Sequence, residues 1–366
     1  MSDVIVVGGG VVGTAVTRAL ARSGAAVTLL DAQRIGAGTS RATFAWVNAN
    51  QKTPRSYFDL NVAGMRAHTS FANDHDDPSW YHEGGNIEWA IDAPARAELA
   101  RKAERLEAWG YEVERLTPEQ ARRLEPDVDV ADDAEVVYFP LETWIDPVRL
   151  AATLVDDARR AGADVVTGAP VADLIVEDGR VTGVVTADHL RRSADTVVNC
   201  AGPAAGRIAD LAGARLPMAN TPGLLAYTEP VPVAVHRILH TPKLQVRPDG
   251  GGRLILHAES QDRDVHPGED VGPSHPACRM LLSMAQEVLP GLSGTEVEAA
   301  RAAVRPIPAD GLSVVGWHPE VPNLYTVASH SAATLCLVLA EHAAREVVVG
   351  ERVAALDDFR PSRFLA

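Results

Sequence analysis

Val4-Ile5-Val6-Val7-Gly8-Gly9-Gly10-Val11-Val12-Gly13 opens the chain, and Val27-Thr28-Leu29-Leu30-Asp31 follows one helical interval later. The first four residues are a β-branched run of buried-strand length, stopped by glycines that demand a tight turn. From residue 11 to 22 the period changes. Val12, Val16, Ala19 and Leu20 share one helical face, and Gly24 closes the segment. Residues 27–30 read as a second strand, so strand, turn, helix and strand follow one another from the start.

Gly8-x-Gly10-x-x-Gly13 sits where a dinucleotide needs it. Gly8 permits the turn, Gly10 lets backbone approach a pyrophosphate, and Gly13 lets helix and strand pack closely. The helix amino end, with Val11 and Val12, offers free N–H groups and partial positive charge to phosphate. Asp31, followed by Ala32, stands where it accepts hydrogen bonds from a ribose; its charge repels a 2′-phosphate and disfavours NADP. A nicotinamide half-domain supplies a third parallel strand soon afterwards. Here the small-residue loop Gly36-Ala37-Gly38-Thr39-Ser40 follows, and the next clear strand is expected only near Val165. That disfavours a plain NAD dehydrogenase, and FAD is the expected dinucleotide.

With 366 residues, the chain exceeds one compact core, and its 46 % apolar and 23 % charged content suits a packed protein of two domains. A net charge of −15 has the wrong sign for a nucleic-acid binder. Cys200, Cys278 and Cys336 are odd in number and widely spaced, which excludes a disulfide framework and fits a reducing compartment. Neither a signal peptide nor a membrane span is legible, so a cytoplasmic location is expected, with no membrane and no nucleic-acid partner. His266, His275 and His318 have no ligand spacing, and no metal is expected.

Helical patterns recur near residues 55–71 and 95–109, and Thr117-Pro118-Glu119-Gln120 reads as a capping box. Asp146-Pro147 opens another helix to about Ala161. Strands follow near Val165, at 171–176 and at 181–186, the last two joined by the hairpin signal Asp178-Gly179. A further strand, 196–199, runs into Cys200-Ala201-Gly202-Pro203. Residues 222–257 read as several strands, 277–289 as a helix, 314–316 and 324–327 as strands, and 332–349 as a closing helix.

Taken together, these stretches resemble the D-amino-acid oxidase superfamily of FAD-dependent oxidoreductases, in its glycine oxidase and sarcosine oxidase branch. Four segments carry the resemblance: the amino-terminal fingerprint through Ser40; Asp146-Pro147 with its helix; Val197-Val198-Asn199-Cys200-Ala201-Gly202; and Arg305-Pro306-Ile307-Pro308-Ala309-Asp310-Gly311 with Ser329-His330-Ser331-Ala332-Ala333-Thr334-Leu335. The implied architecture is α/β, a Rossmann-like FAD-binding domain interleaved with an α+β substrate domain on an antiparallel sheet. Residues 1–80, 141–217 and 306–366 are assigned to the former, 81–140 and 218–305 to the latter.

The resemblance also implies roles. Gly8, Gly10 and Gly13 take the pyrophosphate, Asp31 the adenosine ribose, Ser40 the pyrophosphate side, and backbone at Val171 the adenine edge. Ala201 and Gly202 let the chain pass close to FAD. Ser331, Ala332, Ala333, Thr334 and Leu335 lie along the pyrimidine end of the flavin, at the start of the last helix. Arg305 clamps a substrate carboxylate, since a guanidinium forks two hydrogen bonds onto one; pairing with a protein acid is its structural alternative. Ala303 and Val304 stand where covalent-flavin relatives have a cysteine, so FAD is expected to be non-covalent. Ile255 stands where the sarcosine oxidase branch has an oxygen-activating lysine.

Beyond these, His330 and His257 are candidates for catalytic contact, and Trp46 and Tyr227 for walls of the substrate space; packing or capping roles compete for each. The expected function is oxidation of the C–N bond of an amino acid or N-substituted amino acid by hydride transfer to flavin N5, with O₂ or another acceptor taking the electrons. Alternatives are a 2-hydroxy acid oxidoreductase and a flavin-binding structural component of a larger complex.

Overall fold

The computed structural model describes residues 2–266, 269 and 271–365. The opening strand Asp3–Val7 is the centre of a six-stranded sheet. Across the sheet the order is Val314–Trp317, Leu324–Ala328, Thr196–Asn199, Asp3–Val7, Ala26–Leu30 and Asp164–Val166. All neighbours run parallel except the edge strand Val314–Trp317, antiparallel to Leu324–Ala328. Val6 pairs with Val198 on one side and Leu29 on the other, and all three are fully buried. That double burial is why these strands read as unbroken apolar runs.

The helix Val11–Arg22 packs against both Ala332–Ala344 and Pro147–Arg160. Asp146 caps the latter by accepting the Val148 and Arg149 N–H groups. The expected single closing helix is two: the α-helix ends at Ala344 and a π-helical turn, Arg345–Val349, follows. Thr117 and Gln120 form the reciprocal capping box at the helix Pro118–Leu124.

A second, eight-stranded sheet has the order Val297–Arg305, Thr221–Thr228, Leu254–His257, Gln245–Pro248, Ile238–His240, Asn86–Ala90, Glu135–Phe139 and Glu114–Leu116. It is antiparallel except where Ile238–His240 meets Asn86–Ala90. The helix Pro276–Val288 packs against it through Ala277, Leu281 and Ala285. A hairpin sheet, Val171–Glu177, Arg180–Thr186 and Arg191–Ser193, and a small sheet, Trp46–Val47, Thr143–Ile145 and Tyr81–His82, complete the fold.

Several short strands therefore precede Val165, against expectation. They belong to the eight-stranded and small sheets. The neighbour of Ala26–Leu30 in the first sheet is indeed Asp164–Val166.

Candidate active site

At the carboxyl ends of the central strands the chain turns through Gly8–Gly10 into the first helix. Gly8 has φ +105°, and a Cβ there would lie 2.5 Å from the Cys200 carbonyl oxygen; one on Gly13 would lie 1.8 Å from the Gly8 oxygen. Gly13 is thus behind the turn, where it sets helix–strand distance, while Gly8, Gly10, Val11 and Val12 line a cleft. Gly10, at the cap position, brings no side chain, and the first turn has no acid. Its amino end keeps N–H groups and partial positive charge for an anion in that cleft.

Asp31 also lines the cleft. Its Oδ2 accepts the Gly9 N–H at 2.6 Å and its Oδ1 the Gln33 N–H at 2.7 Å, leaving lone pairs free on both oxygens. Ser40 Oγ accepts the Val11 N–H at 3.0 Å. Ala201, Gly202, Ala332 and Ala333 stand in the same cleft, as does Cys200, whose thiol burial pushes well above its ordinary range. Neither Val171 nor Ala32 lines it: the Val171 side chain packs with Leu174, Val181 and Val184, while the contact expected of Val171 is through its backbone, and Ala32 is exposed.

The cleft continues into a second cavity through shared walls at Thr39, Thr43, Pro306, His330 and Ala333. Ser331 and Thr334 line the second cavity, and Leu335 is buried in the core behind them. This turn is fixed from outside. Tyr57 donates to Ser331 Oγ at 2.9 Å, Asn48 N–H to Thr334 Oγ1 at 3.2 Å, and His68 Nε2 to the Ala333 carbonyl at 2.8 Å. His68 is fully buried and held down to about 4, mainly by burial.

Arg305, the last residue of its strand, lies in the cavity wall over Gly223, where a Cβ would come within 2.8 Å of Arg305 Nε. Arg305 Nη2 donates to Asp262 Oδ2 at 2.6 Å and to His257 Nε2 at 2.7 Å. His257 Nε2 also stands 3.2 Å from Asp262 Oδ2, and its Nδ1 faces Gln245 Oε1. Burial pushes the Asp262 carboxyl up, yet His257, Arg305 and the Leu224 N–H outweigh it and hold the group below the usual carboxylate range. Arg305 is thus both paired with a protein acid and a quarter exposed to the cavity.

His330 lines both cavities. Burial and the charges of Lys52 and Arg305 pull it down to about 4, so it is neutral at pH 7. Trp46 also lines the second cavity, with Nε1 donating to Glu142 at 2.9 Å. Tyr227 does not line it, contrary to expectation. It lies on the same strand face as Leu225 but two residues further on, packed with Phe44 and covered by Arg301 at 4.6 Å. Ile255 shares that apolar cluster.

The sequence reading missed three groups. Asp262 sits on a four-residue helix with no motif to announce it. Lys52, lowered to about 8 chiefly by burial, comes from an irregular loop. Glu142 is fully buried, raised to about 8 chiefly by burial, and accepts from Trp46, Asn50 and Tyr111. The scarcity of lysine, found only at residues 52, 102 and 243, was the one available signal.

The family model of FAD dependent oxidoreductases (DAO) matches residues 3–346. Glycine oxidase of Bacillus licheniformis is 24 % identical over 339 residues, covering 90 % of this chain and 87 % of that protein. Glycine oxidase of Geobacillus kaustophilus is 26 % identical over 340 residues, covering 90 % and 87 %. The crystal structure of glycine oxidase from Geobacillus kaustophilus shares the fold, with a TM-score of 0.88 over 99 % of this chain and 98 % of that one at 24 % identity. The chain belongs to the DAO family of FAD-dependent oxidoreductases.

Proposed function

We propose that this enzyme oxidises the C–N bond of an amino acid or N-substituted amino acid whose carboxylate is held by Arg305. The carrying observation is the placement of Arg305. It is anchored through Nη2 on Asp262 and His257, and it faces a cavity continuous with the glycine-turn cleft. Similarity to the two glycine oxidases supports the same class of substrate.

FAD, when bound, supplies the electron sink that takes hydride at N5. The protein does the rest. The amino end of the first helix takes the pyrophosphate, and Asp31 the ribose hydroxyls. Residues 331–334 would lie against the pyrimidine end, where a helix amino terminus favours negative charge. Cys200 is buried and Ala303 and Val304 carry no thiol, so the flavin is held non-covalently.

Arg305 fixes the carboxylate and thereby aims the Cα–H; Phe44, Leu224 and Leu225 exclude water from the cavity. A neutral His330 adds a hydrogen-bonding group without a charge that would repel an amine. Electrons then leave to O₂ or another acceptor.

The test is anaerobic mixing of the yellow holoprotein with matched pairs of amino acids and 2-hydroxy acids. Bleaching by the amine and not by its hydroxy partner is expected. Bleaching by the hydroxy acid alone, or by neither, contradicts the reading.

A further inference from the structure

The cavity that holds Arg305 carries a second cation. Lys52 lines it, half-buried, and the acid whose charge it feels, Glu142, is already engaged by Trp46, Asn50 and Tyr111. Among the described residues its ammonium forms no ion pair. Arg305 differs, because Asp262 already neutralises it at 2.6 Å. The remaining acid in the wall, Glu259, is exposed at the rim.

A half-buried ammonium without a counter-ion is partly desolvated, and a ligand that brings an anion offsets that cost. Lys52 and Arg305 reach the cavity from different elements, one from the loop after Trp46–Val47 and the other from the end of Val297–Arg305. Both charges act on the same imidazole, His330. The cavity therefore offers two cationic positions around one neutral centre.

We propose that Lys52 is a second anion-binding position, and that the preferred substrate is an amino acid bearing a further acidic group, one carboxylate on Arg305 and the other on Lys52. This rests on the amino-acid reading above and narrows it to a substrate class. The second acid is carried either by a substituent on the amino nitrogen or by the side chain; Lys52 serves both.

The experiment compares anaerobic flavin reduction of the holoprotein by sarcosine, iminodiacetate, alanine and aspartate. The two-acid member of at least one pair is favoured by about 10- to 100-fold in reduction rate over Kd, the range expected for a charged hydrogen bond. Iminodiacetate over sarcosine identifies the nitrogen substituent, aspartate over alanine the side chain. In Lys52→Met the preference collapses to within about 3-fold, and Lys52→Arg keeps it. Lys52→Gln is the second neutral variant should Met disturb folding.

A readout without turnover accompanies this. Glutarate perturbs the bound flavin spectrum at lower concentration than butyrate, and Lys52→Met abolishes the difference. Equal preference in wild type and Lys52→Met, or no preference in either assay, overturns the proposal. If no amine bleaches the flavin but glutarate still binds through Lys52, amino-acid oxidation fails while the second anion position stands. If two-acid amines bleach it equally well with and without Lys52, only the second position fails.

Discussion

Asp262 and Arg305 meet at 2.6 Å, the acid on a short helix and the guanidinium at the end of a strand. The same carboxyl accepts the Leu224 N–H at 2.8 Å, so Asp262 ties the guanidinium to the neighbouring strand. Only Nη2 is used in these contacts, which leaves donors on Arg305 for a ligand.

Replacing Asp262 by Asn removes the charge from that tie but keeps an acceptor. Arg305 is then free to swing, and KM for a carboxylate substrate rises about 10-fold with a smaller change in kcat. Unfolding free energy falls by about 1–3 kcal/mol, as for a weakened buried charged hydrogen bond. Steady-state kinetics and urea unfolding check both; an unchanged KM would contradict the orienting role.

Gly13→Ala places a methyl against the Gly8 carbonyl, where an undisplaced Cβ would stand 1.8 Å away. The helix must move off the strand, and its amino end moves from the pyrophosphate position. The purified variant should have lost most of its flavin, read as the ratio of absorbance near 450 nm to that of the protein, ~450 nm being the flavin band. Full flavin content would show that the close approach is not needed.

Two buried groups give stability opposite pH dependences. His68 is held at about 4 in the folded chain against 6.5 unfolded, so the unfolded state takes up the proton first and stability is lost as pH falls from 6.5 towards 4. His68→Gln keeps a donor for the Ala333 carbonyl and removes that acid-side loss. Glu142 is raised to about 8 from 4.5, so its contribution is present below 4.5 and lost as pH rises through 8. Glu142→Gln flattens that alkaline side. Urea unfolding between about pH 4.5 and pH 9 tests both; parallel profiles for variants and wild type would contradict them.

The opening strand, turn and helix were legible because their cause is local: apolar period, glycine conformation and an acidic residue at the second strand's end. The caps at Thr117 and Asp146 were legible for the same reason. Asp262 was not. It lies 43 positions from Arg305 in sequence, and only the pairing of Thr221–Thr228 with both Val297–Arg305 and Leu254–His257 brings the acid across. Lys52 and Glu142 escaped because burial of a charge in an irregular segment leaves no periodic trace. Tyr227 misled because strand alternation fixes which face a side chain occupies, not how far along that face the cavity extends.

The measurement that bears most directly on the central claim is anaerobic reduction of the bound flavin by the best amino-acid substrate in wild type and Arg305→Ala. With Arg305 as the carboxylate clamp, the variant keeps its flavin and loses about 100-fold or more in reduction rate over Kd, with most of the loss absent for the corresponding amine that lacks a carboxylate. Equal reduction of wild type and variant by the carboxylate substrate would contradict the account.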